Sequence, residues 1–297
     1  MTMTLGDRPQ PDAMFALDGV TRTYGETVAL AHMSIRIAHG ERVAVLGPSG
    51  GGKTTFLHLL GGVIRPDVGT VEIDGKDLDS LEPGRELASL VGFVHQQFDL
   101  VPHLPVMHNV MAGKLGQWGL LRSMLSLVSA RERNQGLEAL ARVGIEDKAQ
   151  ERTSNLSGGE QQRVAIARIL VQSPRAVLAD EPVASLDPAR AADLIQLLVE
   201  IAAETGRTLV VSLHATEFVR TYFDRAIGLR TGHIEFDIPA GEVDDELLTD
   251  LYHLSKTDAH GSRSNGGAGQ GGPGGARTAD RPPAGSVPPQ PRFRTVD

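Results

Sequence analysis

Gly47-Pro48-Ser49-Gly50-Gly51-Gly52-Lys53-Thr54 follows directly on the apolar run Arg42 to Leu46 and leads directly into Thr55-Phe56-Leu57-His58-Leu59-Leu60. Every fixed position of a phosphate-binding loop is filled, with a strand-like run before it and a helix-compatible run after it. Glycines let successive backbone N–H groups turn inward around an anion, and the helix beginning near Lys53 aims the positive end of its dipole at the same place. Lys53 adds a mobile positive charge for the outer phosphates. The Thr54 hydroxyl is placed to ligate magnesium, a hard cation that takes oxygen donors and is usually shared with substrate phosphates. Gly47 through Thr55 are therefore the candidate nucleoside-triphosphate residues. The alternative, a plain glycine-rich turn, leaves the flanking strand and helix unexplained.

Composition narrows what such a site can serve. The chain has 297 residues, 40% of them hydrophobic, enough for a main domain and a smaller subdomain. No stretch has the length of uninterrupted apolar residues that a membrane span requires, and Met1 to Asp12 lacks a secretory pattern, so the expectation is a soluble chain that stays in the cytoplasm. Zero cysteines exclude disulfides, thiolate zinc sites and cysteine nucleophiles. A formal net charge of -8 argues against a nucleic-acid partner, which demands a basic footprint.

Strand-like runs Met14–Leu17, Met33–Ile37 and Val43–Leu46 alternate with turn signals Tyr24-Gly25 and His39-Gly40, predicting an antiparallel edge that feeds the loop strand. Gly69–Gly75 reads as a short strand closed by an Asp-Gly turn, and Leu90–Val94 as a strand delivering Gln96-Gln97. From about His103 to Asn155 the pattern becomes helical, with Leu137, Leu140, Ala141 and Val143 expected on one apolar face. The apolar stretch Trp118 to Val128 is too short to cross a bilayer; it could pack inside this insertion or face a membrane protein, and packing is the expectation because exposed apolar patches are uncommon. Ala176–Ala179 and Leu209–Leu213, separated by a helix around Ala189 to Glu204, imply parallel strands. Residues 256–297 form a Gly, Pro, Ser and Arg tract that cannot bury enough apolar surface to fold, and are expected to be a solvated, disordered tail.

Three further segments carry chemistry. Asp180 and Glu181 end the run Ala176–Ala179, so a buried strand presents two carboxylates at its C-terminal edge, where ligands bind in open α/β sheets. The first suits magnesium and the second suits orienting and deprotonating a water for in-line attack on phosphorus. His214 arrives at the same rim after Leu209–Leu213, placed to donate a hydrogen bond to a terminal phosphate oxygen. His95, His103 and His108 lie close together in sequence, but without cysteine or a helical His-x-x-x-His register they are not expected to make a metal site. Ser157-Gly158-Gly159-Glu160 has capping-box spacing ahead of the helical run Val164–Leu170. The box accounts for Ser157 and Glu160. Two glycines weaken a helix start unless something large approaches its amides, and a phosphate is the natural candidate.

The phosphate loop, Gln96, Leu156-Ser157-Gly158-Gly159-Glu160, Ala179-Asp180-Glu181-Pro182, Ser185-Leu186-Asp187 and Leu213-His214, in that order, resemble the ATP-binding cassette subunit of ABC transporters over roughly Phe15 to Tyr252. The resemblance implies an α/β fold of the P-loop NTPase, ABC-cassette type: a cassette over residues 14–255 with an antiparallel β edge subdomain, a parallel-sheet core and a helical subdomain at about 100–165. It implies a head-to-tail homodimer, in which Ser157, Gly158, Gly159 and Glu160 of one subunit close over ATP held by the phosphate loop of the other. By the same resemblance Tyr24 stacks on adenine, and Gln96 joins Thr54 and Asp180 at magnesium while sensing the membrane partner. Glu181 is then the catalytic base, His214 the γ-phosphate switch, and Asp187 the link between the two sites. Asn109 to Gly116 with the tryptophan and Arg-Ser that follow, Ala179 to Pro188, and Val211 to His214 are closer to the ATPase of phosphonate importers. That implies an ATPase on the cytoplasmic face of the membrane, bound to permease subunits and working indirectly with a solute-binding protein, for phosphonate or a related oxyanion such as phosphite or phosphate.

Competing readings share the nucleotide site. A non-transport cassette acting on DNA or ribosomes typically adds zinc-binding cysteines, a long coiled coil or a second cassette, none of which is present. An exporter or lipoprotein-release ATPase shares the catalytic residues entirely. A GTPase switch would need an Asn-Lys-x-Asp element after the phosphate loop, and there is none.

Overall fold

Along the central strands, alternate side chains enter different cores. Val43 and Val45 pack with Phe56, Leu57, Ile37 and Ile73, whereas Ala44 and Leu46 pack with Val110, Ile166 and Leu198. Ala176 and Leu178 join the first set, and Val177 and Ala179 the second. Strand side chains alternate with period two, so a strand covered on both faces must be apolar at every position, which is why these runs carry no polar alternation.

The computed structural model describes residues 13–253 apart from 83, 96–98, 118–129, 185 and 215. A hairpin of β1 (Ala13–Tyr24) and β2 (Thr27–Ala38) comes first, then β3 (Arg42–Leu46) and α1 (Lys53–Leu60). β4 (Val68–Ile73) and β5 (Lys76–Asp77) flank the turn Asp74-Gly75, both at positive φ, and α2 (Arg85–Leu90) precedes β6 (Val91–Val94). A helical stretch follows, with α3 (Val106–Met111), α4 (Ala130–Arg142) and α5 (Gly158–Gln172). The chain then runs through β7 (Ala176–Asp180), α6 (Pro188–Thr205), β8 (Thr208–Ser212), α7 (Val219–Tyr222), β9 (Arg225–Arg230), β10 (His233–Pro239) and α8 (Asp245–His253).

Two sheets result. One is antiparallel, in the order β2-β1-β4-β5. The other has the order β10-β9-β3-β8-β7-β6, parallel throughout except for the antiparallel edge strand β10. Val45 sits opposite Ser212, Ser212 opposite Asp180, and Val94 opposite Ala179. The C-terminal ends of β3, β8, β7 and β6 therefore share one rim, and the loops leaving them start side by side.

Helix boundaries follow local chemistry. α5 begins at a complete capping box, with Ser157 accepting from the Glu160 amide and Glu160 returning to the Ser157 amide. α6 has Asp187 as N-cap, Pro188 at its first turn and Gly206 at φ +61 as its C-cap, the usual proline-first, glycine-last arrangement. The apolar face expected on α4 differs at one residue: Leu140 and Val143 are buried and Leu137 partly so, as expected, but Ala139 is buried in place of Ala141, which is exposed. Helical geometry puts Ala139 and Val143, four residues apart, on one face with Leu140, and turns Ala141 away from it.

The hairpin is longer than the runs Met14–Leu17 and Met33–Ile37 suggest, because its second half has mixed polarity and is paired through bulges. The stretch Trp118–Val128 and the tail 256–297 lie outside the described residues.

Candidate functional site

The phosphate loop owes its glycines to two different causes. A Cβ on Gly47 would lie 2.0 Å from the Leu229 carbonyl oxygen of β9, one on Gly51 2.7 Å from the same oxygen, and one on Gly52 2.7 Å from the Ala29 carbonyl oxygen of β2. Those three are close-approach glycines, squeezed between β9 and β2. Gly50, at φ +79 with nothing within 4 Å, is needed for conformation alone. The loop is tied across by Gly51 N–H to the Pro48 carbonyl (3.0 Å) and by Gly232 N–H to the Gly51 carbonyl (3.1 Å). From α8, the Tyr252 hydroxyl accepts from Gly47 N–H at 3.2 Å, and burial pushes that phenol up from its ordinary pKa.

Lys53 is nearly enclosed, 4% exposed. Its Nζ donates to the Gly47 and Pro48 carbonyls at 2.8 and 3.2 Å and lies 3.7 Å from Glu181 Oε1. Burial lowers its pKa, opposed by the negative charges of Glu181 and Asp180. Ser49, Gly50, Gly52, Lys53, Thr54, Thr55 and Glu181 line one cavity of about 300 Å³, with Thr27 and Ala29 of β2 as its far wall. Tyr24 pairs with Thr27 at the hairpin end, half-exposed, with the Arg22 guanidinium 4.9 Å from its ring centroid.

The acidic side of the cavity comes from β7 and β8. Asp180 is buried at the end of β7 and accepts from the Ser212 hydroxyl at 2.6 Å. The next residue, Glu181, turns into the left-handed region at φ +47, and its N–H donates to the same Ser212 oxygen at 2.8 Å. Glu181 Oε1 then meets His214 Nε2 at 2.7 Å. Lys53, Asp180, Glu181 and His214, far apart in sequence, thus converge at one rim. Gln96 lies outside the described residues.

Ser157, Gly158, Gly159 and Glu160 are elsewhere. Ser157, Gly159 and Glu160 line a separate cavity of about 370 Å³ with Gln162, Arg163, Leu186 and Arg190, sharing no residue with the phosphate-loop cavity. The Ser157 hydroxyl and amide hold the Glu160 carboxyl below its ordinary range. Among the described residues a Cβ on Gly158 would meet nothing within 4 Å, and one on Gly159 only Leu186 at 4.0 Å, so packing among those residues does not require these glycines. Asp187 accepts from the Arg190 amide at 3.2 Å as the cap of α6, and within the chain it does not reach the phosphate loop's cavity.

Sequence reasoning missed three contributors. Ser212, Tyr252 and Gln162 each make a contact that depends on tertiary placement; Gln162 Nε2 donates to the Pro182 carbonyl at 2.7 Å, joining α5 to the loop that carries Glu181. Only Ser212 had a signal, as a polar residue closing the apolar run Leu209–Val211. Among the described residues no group of three or more His, Asp or Glu is arranged to hold a metal. The donors that fit magnesium are the Thr54 hydroxyl and the Asp180 carboxylate, hard oxygens that leave further positions to phosphate and water.

A phosphate loop joined to a parallel sheet, an acidic strand end and a second glycine-flanked helix start define an ATP-binding cassette. The family profile described as ABC transporter matches residues 30–184, and this chain belongs to that family. It is similar to the phosphonates import ATP-binding protein PhnC of Anaeromyxobacter dehalogenans, 46% identical over 86% of this chain, and to PhnC 1 of Nostoc sp., 45% identical over 80%. The chain spans about half the length of the first relative (52%) and 91% of the second. Among solved structures it is similar to a dimeric, post-hydrolysis ATP-binding cassette bound to ADP and Pi, with TM-score 0.68 and 35% identity over 76% of this chain and 99% of that one.

Proposed function

We propose that this chain is the ATP-hydrolysing subunit of an importer for phosphonates or a related phosphorus oxyanion. The observation that carries the ATPase reading is the meeting of Lys53, Asp180, Glu181 and His214 at the mouth of the phosphate loop. Glu181 takes the proton of a water that attacks the γ-phosphorus in line. The new P–O bond forms as the bond to the β-phosphate oxygen breaks, releasing ADP and inorganic phosphate. Lys53 supplies positive charge to the outer phosphates, and the loop amides bind the oxygens between. His214, held on Glu181 here, is the group assigned to the γ-phosphate. Thr54 and Asp180, with Gln96, would hold magnesium, which when bound would neutralise phosphate charge. Tyr24 is assigned to the adenine.

The open space over Gly158 and Gly159 supports a reciprocal homodimer in which this segment of one subunit covers ATP on the other, with Asp187 between the sites. Import of phosphonate is supported by the relatives' identity and by the stretches Asn109–Gly116 and Ala179–Pro188. No described helix is long and apolar enough to cross a membrane. The proposal places the chain on the cytoplasmic face, bound to separate permease subunits.

The test of the ATPase is E181Q. It is expected to keep ATP affinity and lose turnover by roughly 10²- to 10⁴-fold, and near-parental turnover would overturn the assignment. The cargo is tested on the partner solute-binding protein by titration with phosphonate, phosphite and phosphate, and by whether the loaded protein stimulates ATP hydrolysis by the reconstituted transporter. Stimulation by none of the three would overturn the transport reading.

A further inference from the structure

β8 ends on a hydroxyl set among aliphatic side chains. Ser212 is fully buried, as are Leu209, Val210 and Val211 before it. A serine so placed has a donor and an acceptor to satisfy without water. Both are satisfied next door: Oγ donates to Asp180 Oδ1 at 2.6 Å and accepts from Glu181 N–H at 2.8 Å. The second bond reaches the chain where it leaves β7 and enters the left-handed region, at Glu181 φ +47. That conformation is disfavoured for a residue with a Cβ and persists only where its surroundings over-determine it. The direction of this one peptide decides where the Glu181 side chain emerges, 2.7 Å from His214 and 3.7 Å from Lys53.

We propose that Ser212 is a positioning residue for hydrolysis: its hydroxyl, locked onto Asp180, holds the Glu181 peptide so that the carboxylate faces the attacking water. The bond pair also ties the magnesium-side carboxylate to the base-side residue, so that a shift of one is felt by the other. The proposal rests on Glu181 acting as the base.

S212A is nearly isosteric and leaves the Glu181 amide without its acceptor. In steady-state ATP hydrolysis by the full chain, kcat is expected to fall about 10- to 100-fold while KM for ATP stays within about threefold, as befits a misplaced but present base. In an E181Q background the same change is expected to alter residual turnover by less than about twofold, because the group it positions is gone. S212T, which keeps the hydroxyl, is expected to stay within about threefold of the parent. ATP affinity checks that each variant is folded. Unchanged kcat in S212A, or an equal fractional loss in both backgrounds, overturns the role of Ser212 while leaving that of Glu181 standing. Should S212A lose ATP affinity through misfolding, S212T decides, and a loss beyond about tenfold overturns the proposal. Parental turnover in E181Q alone would instead remove the base assignment on which it rests.

Discussion

A methyl group added at Gly47 and one added at Gly158 meet opposite surroundings. The first lands 2.0 Å from a main-chain oxygen of β9, on a residue with φ +146; the second meets nothing within 4 Å. Main chain cannot rotate aside as a side-chain tip can, so G47A is expected to cost about 2–4 kcal/mol, a fall in Tm of about 5–15 °C, and to abolish ATP binding. G158A is expected to leave Tm within about 2 °C of the parent while lowering ATP turnover at least about tenfold, since alanine suits a helix and only an approaching phosphate is obstructed. Thermal unfolding and turnover on both variants test the pair; turnover unimpaired in G158A would remove the reason for a second anion site. From residue types alone, both clusters read as anion-binding loops. That Gly47, Gly51 and Gly52 also serve close packing was not legible, because the neighbours responsible, Leu229 and Ala29, are brought in only by the sheet.

At the scale of elements, the strands covered on both faces were the most legible. Ala176–Ala179 and Leu209–Val211 are apolar at every position because each alternate residue belongs to one of two cores. β9 was not recognised from sequence, although it pairs with β3 at the centre of the site: a six-residue strand with arginine at both ends and Gly228 within gives little periodic signal. Its placement depends on a clamp instead. Arg42, the first residue of β3, donates to both oxygens of Asp224, at 2.9 and 2.5 Å, and Asp224 also accepts from the Arg42 amide at 3.0 Å. The Arg42 guanidinium holds the Asp224 carboxyl below its ordinary range. A depressed carboxylate stabilises the fold above its unfolded pKa, and the contribution is lost as pH falls through the folded one. With both side chains partly exposed and screened, D224N is expected to cost no more than about 1 kcal/mol at neutral pH, or about 2–4 °C in Tm. The gap should close as pH drops below the ordinary carboxylate range. A difference that persists or widens in acid would show that the carboxylate charge is not what joins β3 to β9.

For the whole molecule, the decisive fact is that the phosphate loop and the Ser157 segment line separate cavities, with none of the described residues in common. Within one chain the two are connected through Gln162, whose Nε2 grips the Pro182 carbonyl one residue beyond Glu181. Closure of the Ser157 segment over a partner's nucleotide would therefore pull on the loop that carries Glu181, a physical route by which the two sites proposed to be shared would act together. If each site is completed only by a second copy, hydrolysis per chain must depend on how many chains are paired. Turnover per chain is expected to rise with protein concentration between about 10 nM and 10 µM and then level off, as mass action requires of an active dimer. In E181Q, ATP with magnesium should shift the chain to twice its monomer mass on size exclusion, while ADP should not. Obstruction of that helix start gives the control, since G158A in the E181Q background should bind ATP normally yet stay monomeric under the same conditions. Constant turnover per chain across that range, with E181Q remaining monomeric on ATP, would mean that one chain completes its own site, and the open face over Gly158 would then need another occupant.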